Sequence, residues 1–131
     1  PSTHNITALG GTFDHLHAGH RILLSSSLLL TQSLVVGLTS PLLLQSKKHA
    51  ELLQSLEMRT RAVQEFCTLF RPSVRVRCVE IRDVAGPTAW DRGIDALVVS
   101  RETVAGAEAI ATLRAQASLP PLEVYVIDVI S

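Results

Sequence analysis

Three of the five histidines in this 131-residue chain, His15, His17 and His20, fall within six residues of one another, directly behind a pair of glycines. The stretch reads Gly10-Gly11-Thr12-Phe13-Asp14-His15-Leu16-His17-Ala18-Gly19-His20. An apolar run over 6–9 precedes it and a leucine-rich run over 22–30 follows. That spacing predicts a strand, a glycine turn and a helix, with His17 and His20 at the helix entrance. Helix amino termini hold unpaired N–H groups and partial positive charge, which attract phosphate. Two glycines let the backbone approach a polyphosphate with no side chain in the way. Imidazole N–H groups placed there can donate to a phosphoryl oxygen as charge builds on it. An HxxH pair such as His17 and His20 also ligates metal in other settings, but no further cysteine or clustered carboxylate completes such a site. The segment reads as a phosphate-handling site.

The elements that must position these residues follow from periodicity. Strands are predicted over 5–10, 34–38, 74–82, 95–100 and 122–130. Helices are predicted over 18–32, through Leu52, Leu53 and Leu56, then over 57–70 and 103–117. Val63, Phe66, Cys67 and Phe70 recur at three- and four-residue spacing, and Pro72 stops that helix. Alternating strands and helices imply an α/β fold, a Rossmann-like doubly wound parallel sheet. The 34–38 and 96–99 runs are apolar on both faces, as central parallel strands are. The third strand alternates Val74, Val76 and Cys78 with Arg75 and Arg77, which suits a sheet edge. A five-stranded order 3-2-1-4-5 then places the glycine turn at the carboxyl end of a central strand, beside the topological switch point where ligands bind.

Composition fits one compact domain over 1–131: apolar residues make up 47% and charged residues 18%. Twelve basic residues balance twelve acidic ones, so neither nucleic acid nor a membrane surface is expected as a partner, and any anion site must be local. The 22–30 run is too short to span a bilayer and is broken by serines at 25–27. Cys67 and Cys78 read as buried reduced thiols, as in a cytoplasmic protein.

The glycine–histidine stretch resembles the first signature of the HxGH nucleotidylyltransferase superfamily. The rest resembles one branch, phosphopantetheine adenylyltransferase of the eukaryotic and archaeal type. The segments that carry this are Val35-Val36-Gly37-Leu38-Thr39, Leu43-Leu44-Gln45-Ser46-Lys47, Glu51-Leu52-Leu53-Gln54, Asp83 with Gly86-Pro87, and Leu97-Val98-Val99-Ser100-Arg101-Glu102-Thr103 followed by Gly106. The match runs nearly end to end.

The resemblance implies transfer of adenylyl from ATP to 4′-phosphopantetheine, giving dephospho-coenzyme A and pyrophosphate, with Mg²⁺ accompanying the ATP. It implies catalytic roles for His20, His17 and Lys47. Gly10, Gly11, Thr12, Phe13, His17, Gly19, His20, Ser100, Arg101, Glu102, Thr103 and Arg114 would meet the nucleotide. Thr12, Lys47, Arg59 and Asp83 would meet the acceptor. Several of these have a second reading. Asp14 is either a turn brace or a direct ligand. Arg59 is an exposed helix cation or a substrate contact, and Arg114 is a cation favoured by the helix dipole or a phosphate contact. Ser100 and Thr103 cap a helix, which would also present its amides to a nucleotide. Trp90 reads as packing.

Ala111 stands where the branch often has asparagine. The chain reaches Ser131 where the superfamily's serine-rich second signature would begin, and it starts at Pro1, as a piece of a longer polypeptide would. Residues 1–131 are therefore expected to fold and bind ligand, with slower turnover than a chain carrying that signature; a monomer, or part of a larger chain, is expected. The rivals are a superfamily member using CTP or another acceptor, and a non-catalytic nucleotide- or coenzyme A-binding module.

Overall fold

The structure, a computed structural model, describes residues 4–44 and 52–128, the Glu102 side chain excepted. The chain runs β1 (His4–Gly11), α1 (Ala18–Leu28), β2 (Thr31–Thr39), a short α2 (Pro41–Leu44), α3 (Leu56–Phe70), β3 (Arg75–Ile81), β4 (Ala96–Ser100), α4 (Val104–Gln116) and β5 (Glu123–Ile127). Two 3-10 turns, Gly86–Ala89 and Arg101–Thr103, lead into and out of β4. All strand pairs are parallel and the order is β3-β2-β1-β4-β5, as expected from the strand patterns.

The alternation along each strand sends one set of side chains to each face. On one face Leu9, Leu34, Val36, Leu38 and Val98 pack against Leu24 and Leu28 of α1 and Val63 and Cys67 of α3. On the other, Ala8, Leu97 and Val99 pack against Ala107 and Ile110 of α4, with Ala85 and Ile94 from the β3–β4 connection. Removing one such leucine or isoleucine side chain from water contributes about 1.5–3 kcal/mol, offset by the cost of ordering it. Cover therefore changes faces between β1 and β4, and the first strand's loop opens at that switch point.

Boundaries depart from the expected ones at three places. Helix α1 ends at Leu28, not at 32, because Thr31 pairs with His4 to begin β2. A leucine run fits either period, and strand pairing decided it. Residues 41–44 form a helical turn, although no predicted element covers them. Helix α3 begins only at Leu56, since Ser55 caps it by accepting from the Met58 N–H at 3.1 Å.

At Gly37 a side chain is barred: a Cβ there would lie 2.8 Å from Ile81 Cγ2 across the β2–β3 pair. Cys67 and Cys78 are free thiols. Burial pushes Cys67 up to about 12, with Cys78 adding to it, and pushes Cys78 up to about 11, so both are inert near neutrality.

Candidate active site

Strand β1 delivers the chain to the carboxyl edge of the sheet at Gly11, and the turn that follows is tight. Phe13 and His15 both take left-handed backbone conformations, with φ of 53° and 46°. The Phe13 ring is buried at 2% exposure in the core, so the ring anchors the turn and does not face a nucleotide. The nucleotide contact expected at Phe13 is then left to its main chain. Gly11 needs to be small for a local reason too, because a Cβ would meet the Phe13 ring at 3.1 Å.

The histidines close the start of α1 on themselves. His17 is the N-cap, and its Nδ1 accepts from the Gly19 N–H at 3.1 Å. His20 reaches back, its Nδ1 accepting from the His17 N–H at 3.2 Å. This is a capping box built from two imidazoles. The rings stack with centroids 3.8 Å apart, and His20 also lies 5.4 Å from the Phe13 ring. An Nδ1 that accepts carries no proton, so each neutral ring keeps its proton on Nε2. Burial lowers the His20 pKa below 6.5, the charge of His17 lowers it further, and Asp14 partly opposes them. His20 is thus held as a neutral donor at a helix amino terminus.

Asp14 is a brace, though not the expected local turn. Its Oδ1 accepts from the Gln54 N–H at 2.7 Å and its Oδ2 pairs with His15 Nδ1 at 2.7 Å. Burial alone would raise its pKa, but the Gln54 bond, the His15 bond and the His15 and Arg59 charges together carry it below the ordinary carboxylate value.

A cavity of about 410 Å³ opens beside the turn, over the carboxyl ends of the strands. Gly10, Gly11, Thr39, Asp83, Thr103 and Gly106 line it among aliphatic side chains of β4 and α4. Asp83 Oδ1 accepts from the N–H groups of Ala85 and Gly86, at 3.1 and 2.7 Å, and so shapes the turn at the cavity wall. Thr103 Oγ1 accepts from the Ser100 N–H at 3.0 Å, which fixes the entry to α4. Arg101 turns away, its Nε 2.8 Å from Asp128 Oδ1.

Two arginines stand elsewhere than expected. Arg114 is buried at 1% exposure. Its guanidinium donates to the carbonyls of Pro120, Thr88, Asp91 and Ile94, which precede β5 and β4 at the opposite end of the sheet. It is neither a phosphate contact nor a surface dipole cation. Arg59 is fully buried and also donates only to main-chain carbonyls, so it is not an exposed cation. Its phase with Val63 and Cys67 on α3 was the available signal. Trp90 is 68% exposed and does not pack. Lys47 and Lys48 lie outside the described residues, as does the Glu102 side chain. Sequence reasoning gave Gln54 no role, although it binds the histidine turn twice.

A family model described as cytidylyltransferase-like matches residues 8–129. The chain is also 37% identical to the phosphopantetheine adenylyltransferase of Pyrococcus abyssi, over 93% of this chain and 77% of that one. The chain belongs to the cytidylyltransferase-like family, in its phosphopantetheine adenylyltransferase branch. A further relative in that branch, from Saccharomyces cerevisiae, is 48% identical over 96% of this chain, which spans 42% of the yeast protein's length. Among solved structures, an Archaeoglobus fulgidus protein of unknown function superimposes with a TM-score of 0.80 at 26% identity, covering 93% of this chain and 88% of that one. A lipopolysaccharide core biosynthesis protein from Thermoplasma volcanium gives 0.75 at 15% identity, covering 97% and 98%, and shares the fold alone. In this cytidylyltransferase-like chain the histidine capping box lies at the turn that follows β1.

Proposed function

We propose that residues 1–131 form a single nucleotidylyltransferase domain that transfers adenylyl from ATP to 4′-phosphopantetheine, yielding dephospho-coenzyme A and pyrophosphate. The observation that carries this is the His17–His20 capping box, whose Nδ1 acceptors leave both Nε2–H groups to donate at the turn that follows Gly11, a residue of the cavity wall. An acceptor phosphate oxygen would attack the α-phosphorus in line, forming one P–O bond as the bond to pyrophosphate breaks. A phosphate dianion needs no deprotonation, so positioning and charge stabilisation supply the catalysis. His20 would donate to the α-phosphate oxygen as charge builds, with His17 and Thr12 holding the rest. The cavity suits the pantetheine arm, amide groups on an apolar chain, and Asp83 and Thr103 mark its polar points.

Magnesium would arrive on the triphosphate, held by phosphate oxygens and water, and would neutralise phosphate charge. The donor set fits that arrangement: the Nδ1 atoms of His17 and His20 are taken up as acceptors in the cap, and both Asp14 oxygens are engaged by Gln54 and His15. No described helix is long and apolar enough to cross a membrane. We place the domain in the cytoplasm, as a monomer or as part of a larger polypeptide. The resemblance assigns Lys47 to the phosphates, so Lys47→Ala should weaken both ATP binding and turnover.

Pyrophosphate release tests the reading, with His20→Ala and His20→Gln compared. Glutamine at the third helical position can keep the cap bond to the His17 N–H. Both variants should lose roughly 100- to 1,000-fold in kcat. Only alanine should also lose about 1 kcal/mol of stability. Near-normal turnover in His20→Gln would make the ring a cap and sink the mechanism, and preference for CTP would sink the nucleotide assignment.

A further inference from the structure

The turn that carries the histidines is held in place from outside itself. Arg59 Nη1 donates to two carbonyls at once, Thr12 at the end of β1 and Thr39 at the end of β2, each at 3.0 Å. Its Nε donates to the Gln54 carbonyl at 3.1 Å. Gln54 then returns to the turn twice: its N–H donates to Asp14 Oδ1 at 2.7 Å, and its Oε1 accepts from the His15 N–H at 2.9 Å. The result is a closed circuit between the amino end of α3 and the chain from Thr12 to His15.

We propose that Gln54 and Arg59 are positioning residues that set the geometry of the His17–His20 pair. The proposal rests on the adenylyl-transfer reading only for what the pair acts upon. Phe13 and His15 flank Asp14 in left-handed conformations that are unfavourable for a residue with a side chain. Such a backbone persists only where its surroundings over-determine it. The Phe13 ring in the core supplies one constraint, and the bonds from Gln54 to Asp14 and His15 supply the others. Just one residue, Leu16, separates His15 from the His17 N-cap, so relaxing the first rotates the second away from its partner. Arg59 is itself unable to move, being fully buried with carbonyls on several sides. A lysine would keep the charge there but could not span three carbonyls with a planar fork.

The test uses the whole chain with Gln54→Ala, Arg59→Lys and Arg59→Met, read in two ways. Steady-state rates should show kcat reduced about 10- to 100-fold, the range expected when reacting groups are displaced by a fraction of an ångström to one ångström. KM for ATP should change by less than about threefold, and Arg59→Lys should fail to rescue. Nitrogen-15 shifts of the His17 and His20 rings should show the Nε2–H tautomer in the native chain and a mixture in each variant. Arg59→Met, with its carbonyls left unmet, can fail to fold; Gln54→Ala loses one side-chain bond and keeps the test open. Unchanged kcat and unchanged ring shifts in Gln54→Ala would overturn the proposal. If the native chain transfers no nucleotide at all, the reaction reading falls, while the ring shifts still decide whether the clasp sets the histidines.

Discussion

At His20, the ring's surroundings set the direction of proton linkage. Its pKa is lowered by burial and by His17, so between the folded value and 6.5 the unfolded chain binds a proton that the folded chain does not. Its stabilising contribution is complete above pH 6.5 and is lost as pH falls through that window. A ring titration by NMR should place His20 below 6.5, and a value above 6.5 would contradict the geometry. Acid has a local consequence too, since a proton on Nδ1 removes the acceptor for the His17 N–H. Thr7 offers a cleaner energetic test: its Oγ1 is buried with no hydrogen-bond partner among the described residues. Thr7→Val keeps the shape and removes an unmet polar atom, so denaturant unfolding should show a gain of up to about 1 kcal/mol. A loss would reveal a partner such as a trapped water. The place of the turn was legible because three histidines and two glycines crowd one helix entrance. The work of Gln54 was not, because its partners lie about 40 positions away and no local pattern marks them.

The strands announced their own order. Arg75 and Arg77 alternating with Val76 and Cys78 marked β3 as an edge, and the two-sided apolar runs marked β2 and β4 as inner strands. Helix ends were less legible, since leucines at 28–30 serve either a helix or a strand until pairing with His4 decides. Close approaches between elements were not legible either. Gly37→Ala tests one of them: a β-branched methyl only 2.8 Å from the new Cβ cannot swing aside, so overpacking should cost about 1–3 kcal/mol. Arg114 is the stronger case. The phase of Arg114 with Ala107 and Ile110 puts it on the inner face of α4, but the carbonyls that satisfy it come from two other segments that no local pattern marks. Arg114→Met should lose about 2–4 kcal/mol of stability by leaving those carbonyls unmet. Nucleotide affinity of the folded variant should be unchanged, and a large drop in ATP affinity by calorimetry would restore the phosphate role.

Across the whole molecule, the candidate site lies where the two halves of the sheet meet. The glycine turn belongs to β1 and packs with α1 and α3, whereas Thr103 and Gly106 of the cavity wall belong to the β4–α4 half. On the outer strand of that second half Val124 and Val126 are 42% and 49% exposed. A ligand that touches both halves binds only the folded sheet, so it stabilises by RT ln(1 + [L]/Kd). ATP at a hundredfold excess over its Kd should add about 2.7 kcal/mol, which raises Tm by roughly 8–16 °C for a domain of this size. Dephospho-coenzyme A, which carries both the adenylate and the pantetheine arm, should do the same at lower concentration because it also fills the cavity. CTP at the ATP concentration should give less than half the ATP shift. The measurement is a thermal melt with each compound in turn, and it needs no turnover. Equal shifts with CTP and ATP would leave the adenylyl assignment without support. A shift with ATP but none with dephospho-coenzyme A would mean that the aliphatic cavity does not receive the acceptor arm.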